Sequence, residues 1–476
     1  MAKSHKPLTR LWVEIGILLS ALGVHLWYLL HTTFVDWPEM LLYPWFLTKG
    51  LLYYRDVVLA YVPGSYYLLH AIYSLIGYSV ISERTIAYGF ILLTDVMVYV
   101  AARKLTKSLW PSIAALAFFV WWQPIFSGNT IWYETMLAPM YIGMYLLALR
   151  YLEKPTVRTV LPLALLTAGS TLIKQTAVWS VLVLCLFVWL SHTKKKEGFT
   201  HAVIIGLMVI AANLLVWGYF AVLGAGQAYG FWVFGFLFSL SQAASGYALA
   251  PPRSDLTLIL PAVIPLLLYG LFRPKKHVWL LIALCIAVTL SGLPRWGLHR
   301  FQPVLAFVSI SIAVLVQSMF TAKRRLAMGM GVVMMVLVLF GSWRSFRVFI
   351  TLRDPMQPQF FGNSYESLLS FVRSQASGDV YVLGNYDYLY FGLNQKPTVM
   401  PWVPLFPWNA EVPGLQKQLI DSLEEKKVPY ILFIPFHPDL GYYLDYSPDE
   451  LFLYVRAKYV KIGAAPIAGG ELLRRR

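Results

Sequence analysis

The sequence predicts a polytopic α-helical membrane protein of about 11 transmembrane helices, followed by a small C-terminal α/β domain. Three observations predict this class. The 476-residue chain is 58% hydrophobic and only 13% charged, too little charge for the surface of a soluble domain of this length. Apolar runs of about 16–22 residues recur, continuous rather than alternating, which selects helices over a β-barrel. Basic residues gather at alternate ends of those runs, so the net charge of +16 reads as membrane topology rather than nucleic-acid binding.

The expected spans fall near 11–31, 86–102, 109–126, 134–150, 159–173, 176–192, 200–221, 256–272, 277–293, 302–320 and 326–346. Alternate ends carry Lys3, Lys6 and Arg10; Arg103, Lys104 and Lys107; Arg150, Lys154 and Arg158; Lys194, Lys195 and Lys196; Arg273, Lys275 and Lys276; and Lys323, Arg324 and Arg325. By the positive-inside rule these ends, and the N-terminus, are cytoplasmic, and an odd number of spans places the C-terminus outside. The basic start MAKSHKPLTR precedes a long apolar run without a small-residue cleavage site, so no cleavable signal is expected. Cys185 and Cys285 both lie in apolar runs and form neither a disulfide framework nor a metal spacing.

Two apolar regions do not fit as spans. Residues 37–78 are broken by Pro38, Pro44, Pro63 and Gly64 and are expected to form two amphipathic helices on the outer interface. Residues 224–255 have a short apolar core flanked by Gly, Gln and Ser, which suits an interfacial segment; a span there would break the later parity. The division expected is thus a transmembrane domain over 1–349, with its first outer loop at 32–85, and an extracytoplasmic α/β domain over 350–476. In the latter, DVYVLG at 379–384 and YILFIPF at 430–436 read as strands. GLQKQLIDSLEEKK at 414–427 has helical periodicity, and Ser447 to Glu450 with Pro448 reads as a capping box opening a helix.

Charges on the outer side are few. They are Asp36, Glu39, Lys49, Arg55, Asp56, Glu83 and Arg84 in the first loop, then Glu134, Lys174, Arg253, Asp255, Arg295, His299 and Arg300. Lys174 is the one charge in LTAGSTLIKQTAVWSVLVL, at the turn between two tightly paired spans. It either snorkels to headgroups or serves an anion site at the outer face. Arg295, His299 and Arg300 in RWGLHRFQP run against the charge rule in the same way. Asp36, directly after the first span, is either a helix N-cap before Pro38 or a base able to take a proton from a hydroxyl. Asp56 is either another such carboxylate or the ion-pair partner of Arg55 or Arg84. Glu14 and Asp95 lie inside spans and are read as facing the bundle, where intramembrane acids are tolerated. Carboxylates beside cations at one face suit chemistry in which a hydroxyl attacks and a phosphate departs. No Walker, GxGxxG, HExxH or CxxC pattern occurs in a usable context, so no nucleotide cofactor is expected.

The order DWPE (Asp36–Glu39), KGLLYYRD (Lys49–Asp56), PGSYYL from Pro63, then Gly77 and Arg84, resembles the first outer loop of polyprenyl-phosphate-sugar-dependent glycosyltransferases. These are the membrane GT-C enzymes of the family 39 type, which include protein O-mannosyltransferases and the lipid A aminoarabinose transferase. LIKQT, with Lys174 and Gln175, and RWGLHRFQP, from Arg295 to Pro303, are similar to their Lys-Gln element and late outer loop. The adjacent Asp-Glu pair of the O-mannosyltransferases appears here as Asp36 and Glu39, split by Trp37 and Pro38. The resemblance implies an integral inner- or plasma-membrane enzyme that moves a hexose or pentose from a polyprenyl-phosphate donor to an acceptor hydroxyl on a glycolipid, glycan or protein, with inversion. It implies Asp36 as the catalytic base and Glu39, Asp56 and Glu134 as acceptor or metal candidates. Lys174, Arg295, His299 and Arg84 become donor-phosphate ligands. Metal dependence stays open: Asp36 with Glu134 offers oxygens to a divalent cation, while Lys174 and Arg295 offer charge without one. The rival class is a transporter of a lipid-linked or anionic substrate, which predicts polar groups and broken helices at the midplane and internal repeats; no repeats are found.

Overall fold

The computed structural model describes residues 6–236, 275–293, 295–321, 360–384, 386–404, 411–434, 449–467 and 469–476, with isolated positions between them. It forms two compact units: Met1–Val35, Glu83–Ala212 and Pro251–Pro358 make the first, and Asp36–Ser82, Asn213–Ala250 and Gln359–Arg476 the second. Residues 36–82, most of the expected first outer loop, fall in the same unit as residues 359–476.

The first unit is helical. Its helices are α1 (Lys6–Leu30), then, after α2 and α3 of the second unit, most of α4 (Val80–Thr106), α5 (Leu109–Trp122), α6 (Tyr133–Glu153), α7 (Val157–Ile173), α8 (Val178–Ser191), much of α9 (Lys195–Val222), and, beyond a short α10, α11 (Lys276–Ser291) and α12 (Gln302–Thr321). Every expected span from 11–31 to 200–221, and those at 277–293 and 302–320, coincides with a helix. The segments 256–272 and 326–346 lie largely outside the described residues. Among the described residues, six helical stretches are long and apolar enough to cross a membrane, and Val157–Ile173, Gln175–Ser191 and Lys276–Ser291 are apolar but shorter. The outward faces carry the apolar surface expected of lipid contact: Leu11, Trp12, Leu19 and Trp27 on α1, and Leu207 and Ile210 on α9, are exposed. Inside, α12 packs on α5 and α6, α6 on α7, and α8 on α11.

The intramembrane acids face the bundle, as read from the sequence. Glu14 accepts from Arg103 at 2.8 Å and from the Tyr99 hydroxyl at 3.2 Å. Asp95 pairs with His25 at 2.7 Å, and the other His25 nitrogen meets Gln123, whose amide donates to the Gly128 carbonyl. This chain of partners pairs one oxygen of the buried Asp95, while its Oδ1 has no hydrogen-bond partner among the described residues. The end of α1 is held by Asn129, whose side-chain amide donates to the Leu29 and Thr32 carbonyls. Those carbonyls lie at a helix C-terminus and have no partner within the helix. Val35 then bridges Thr130. The strand-like pairing at 35 and 130 fixes the point from which the chain leaves toward Asp36.

The second unit contains α2 (Pro38–Thr48), α3 (Gly64–Ile76), the end of α9, α10 (Gly226–Gly230) with a π-helical turn at Phe231–Gly235, and a four-stranded sheet. Two helices do form in 37–78, as expected. α2 is not amphipathic, however. It buries Pro38, Met40, Leu41, Leu42, Tyr43, Pro44, Trp45 and Phe46, on all sides of the helix, because its aromatic rings meet Tyr66, Trp402, Tyr390 and Phe391. α3 keeps the expected two faces: Tyr66, Leu69 and Tyr73 are buried, while Leu68, Leu75 and Ile76 are exposed.

The sheet has the order β1-β2-β4-β3, with β1 at Val380–Leu383, β2 at Tyr430–Phe433, β3 at Tyr459–Ala464 and β4 at Glu471–Arg475. β1 and β2 are parallel, so their connection must cross over; it does so through Leu389–Leu393 and Leu415–Lys426. β4 pairs antiparallel with both β2 and β3. The helix Asp449–Lys458 lies where the sequence placed one; Ser447 and Pro448 of the expected capping box lie outside the described residues. The loop is sewn to this domain at Val57, which bridges Trp402: the Trp402 N–H donates to the Asp56 carbonyl at 2.8 Å, and the Val58 N–H donates to the Trp402 carbonyl at 2.9 Å.

Candidate active site

In the first unit, four chain ends converge on Lys174. The lysine caps α7, with its N–H on the Ser170 carbonyl, before a 3₁₀ turn at Gln175–Ala177 leads into α8. That break turns the side chain inward. It is 1% exposed, which rules out snorkelling to headgroups. Its Nζ donates to Glu134 Oε1 at 2.5 Å and to the Ser291 carbonyl at 3.3 Å. Glu134 sits in the first turn of α6 and Lys174 just past the last turn of α7. Each charge therefore meets the helix end of opposite partial charge. Ser291 ends α11, and the next carbonyl, Gly292, accepts from Arg300 at 3.3 Å. The unsatisfied carbonyls of one helix C-terminus thus collect two cations.

The fourth end is the 3₁₀ turn Leu298–Phe301 that precedes α12. His299 within it is half-buried, with its ring edge-on to Trp132, centroids 5.4 Å apart. Arg300, Lys174 and Arg295 all lie within electrostatic reach of that ring. Gly297 makes room for it: a Cβ there would come within 2.8 Å of the imidazole. The group comprises three cations, one carboxylate and a histidine, with a net charge of about +2 if the histidine is neutral. Glu134 Oε2 is buried with no hydrogen-bond partner among the described residues. Arg84 lies over the Phe34 ring at 5.2 Å. Asp255 accepts from the Trp296 indole at 2.7 Å.

The remaining candidates belong to the second unit. Asp36 does not cap α2. Trp37 occupies that position, with no side-chain cap, and Pro38 opens the helix. The Asp36 carboxylate is buried and accepts two backbone N–H groups, from Phe360 at 3.1 Å and Phe361 at 2.9 Å. Trp37 packs on the Phe360 ring. Glu39, half-buried, lies close enough to Tyr43 to act on it electrostatically. Asp56 pairs with Arg55 through both oxygens, at 2.9 and 2.7 Å, and accepts the Leu52 N–H. Burial pushes its carboxyl up, but Arg55, the Leu52 N–H and Lys396 outweigh that and hold it below the usual carboxylate value. No group of three or more His, Cys, Asp or Glu among the described residues could hold a metal ion. In the proposed oxygen pair of Asp36 and Glu134, the second residue is taken by Lys174.

Sequence reasoning did not single out Asp387, in the loop after β1. Burial pushes its carboxyl up to about 7, offset only in part by the N–H groups of Asp387 and Tyr388. The folded state therefore binds more protons than the unfolded chain, whose Asp titrates near ~3.9. The stability this group allows is fullest below that value and falls as pH rises through about 7. Asp387→Asn is expected to flatten the decline. The measurement is the thermal midpoint of the protein at about pH 5 and about pH 8; equal declines in wild type and variant would refute the assignment.

No family model matches the chain, and no curated protein matches it. Solved structures do. ArnT from Cupriavidus metallidurans bound to undecaprenyl phosphate is 13% identical, with a TM-score of 0.61 over 97% of both chains. Its apo state gives the same identity and TM-score over 98% of both. The Archaeoglobus fulgidus oligosaccharyltransferase tethered with an acceptor peptide is 11% identical, with a TM-score of 0.51 over 88% of this chain and 69% of that one. These likenesses, nearly full-length at low identity, show that the chain has the GT-C fold of those two glycosyltransferases.

Proposed function

We propose that the chain is an integral-membrane glycosyltransferase that moves a hexose or pentose from a polyprenyl-phosphate donor to an acceptor hydroxyl on the outer membrane face, with inversion. The observation that carries this reading is the buried cation group around Lys174 in a chain of GT-C fold. A donor phosphodiester carries one negative charge and the departing lipid phosphate close to two. A site with a net charge of about +2 binds the second more strongly than the first, and that difference is what accelerates the step. Lys174, Arg295 and Arg300 are assigned to the phosphate. Glu134 positions Lys174, and its unpartnered oxygen suits a hydroxyl of the donor sugar.

In the reaction, the bond between the sugar C1 and the phosphate oxygen breaks and its electrons stay on the phosphate. The acceptor oxygen bonds to C1 from the opposite side, and its proton goes to a carboxylate. Asp36 is assigned that proton: its two backbone bonds fix the orientation of the carboxylate. One of the structural relatives holds undecaprenyl phosphate, which makes that lipid the first donor carrier to test. The experiment presents the purified chain in sealed proteoliposomes with undecaprenyl-phosphate-linked pentoses and hexoses. Release of undecaprenyl phosphate is the expected result. A donor moved across the bilayer intact would establish a transporter instead, and no consumption of any donor would overturn the reading.

A further inference from the structure

The second unit carries two clefts that the reaction above does not use. One, of about 470 Å³, is lined by Lys49, Arg55, Lys396 and Lys426 around Asp56 and Asp379. The other, of about 450 Å³, is lined by Tyr54, Phe231 and Trp232 with the amides of Gln227 and Gln418. Both fall in the size range of roughly 300–1,000 Å³ typical of small-ligand sites. Arg55 lines both, and the wall passes from Met400 in the first to Pro401 in the second. The two are therefore adjacent halves of one surface.

We propose that these halves form a single groove for the acceptor, a glycan that carries a phosphate or carboxylate group. This rests on the glycosyltransferase reading. In the first half, four cations against two carboxylates leave a net positive charge. Lys49 is fixed by Asn394 at 2.7 Å and lies over the Trp45 ring, and Arg55 is held by Asp56, so the anion meets side chains already oriented. The second half offers what a sugar ring needs: the exposed Phe231 ring, beside the buried Trp232 and Tyr54, for its apolar C–H surface, and planar amides for its hydroxyls. Two local departures from regular backbone present these groups. A π-helical turn, a feature often found at functional sites, carries Phe231 and Trp232. Tyr54 has a φ of +66°, a conformation that costs energy in a non-glycine residue and persists where its surroundings enforce it. Here the Tyr54 ring is wedged between Phe220 and Tyr229, and its hydroxyl donates to the Tyr61 carbonyl at 2.7 Å. That conformation sets Arg55 at the junction of the two halves.

The test titrates glucose 6-phosphate into the full chain in phosphatidylcholine nanodiscs by calorimetry, with glucose and inorganic phosphate in parallel. Glucose 6-phosphate is expected to bind at least about ten-fold more tightly than either fragment, because a charge-assisted contact adds to the ring contact. Lys396→Gln with Lys426→Gln should weaken it about ten-fold, and Phe231→Ala, at a ring already 37% exposed, should weaken it without loss of folding. Equal affinity for inorganic phosphate, or unchanged affinity in either variant, would overturn the proposal. So would displacement of glucose 6-phosphate by phosphatidylglycerol in the nanodisc, which would make the groove a lipid-headgroup site. Donor cleavage with water as acceptor should be unchanged in all these variants. That arm separates the two readings: an inert wild type would defeat the glycosyltransferase reading, while intact cleavage without sugar-phosphate binding would defeat only the groove.

Discussion

Lys174→Met is expected to cost about 3–5 kcal/mol of stability, because it leaves the Glu134 carboxylate buried without its partner. The pair is buried at both ends, with side chains 2% and 1% exposed, so water cannot take over the role of the lysine. The single substitution therefore confounds folding with donor binding. Lys174→Met combined with Glu134→Gln removes both charges at nearly constant volume, and neutral replacement of a buried pair is often tolerated. Two outcomes then separate. If Lys174 serves only to hold α6 and α7 together, the double variant folds and turns over donor at close to the wild-type rate. If it meets the departing phosphate, the double variant folds but loses about ten- to a hundred-fold in turnover, the worth of one charge-assisted contact. Lys174→Arg keeps the charge but brings a planar fork into a site shaped for a point charge, so an intermediate loss is expected. Thermal midpoints in nanodiscs, read beside donor turnover, decide between the two. Wild-type turnover in the folded double variant would remove Lys174 from the site.

Lys174 was conspicuous in the sequence because a lone cation in an apolar run demands a reason. Its partner was not. Glu134 lies 40 residues earlier on another helix, and no spacing rule links positions across separate helices. The helices themselves were legible because each apolar run is long and bounded by charge. The strands β1 and β2 were legible as short apolar runs. β3 and β4 were missed: YVKIGA and ELLRR are short and carry charges, and they become strands because β4 pairs with both β3 and β2. α2 read as amphipathic because it carries prolines and charges at its edges. Its burial comes from aromatic partners at 390, 391 and 402, more than 300 residues away in sequence. The same distance hid the role of Asp36, whose acceptors' partners are the backbone N–H groups of Phe360 and Phe361, 324 and 325 residues away.

Those two bonds change what Asp36→Asn should do. The amide keeps one acceptor oxygen but turns an NH₂ toward a backbone N–H. One hydrogen bond is lost and a buried donor is left unpaired, at a cost of about 1–3 kcal/mol. If Asp36 also takes the acceptor proton, turnover should fall a further ~10²–10⁴-fold. A drop in activity alone cannot separate these effects, since a loosened segment at 360–361 would lower it too. The pH profile can. A base that must be ionised gives kcat/KM an acid limb, and that limb disappears when the base is removed and the residual reaction proceeds without it. A residue that only anchors backbone leaves the limb in place and lowers the whole curve. The experiment measures kcat/KM against pH for wild type and Asp36→Asn below the thermal midpoint of the variant, with folding checked in the same nanodiscs. Loss of the acid limb in a folded variant is the expected result. A limb that survives unchanged would make Asp36 the staple between the start of α2 and the entry to the α/β domain, and the search for the base would pass to Glu39 and Asp56.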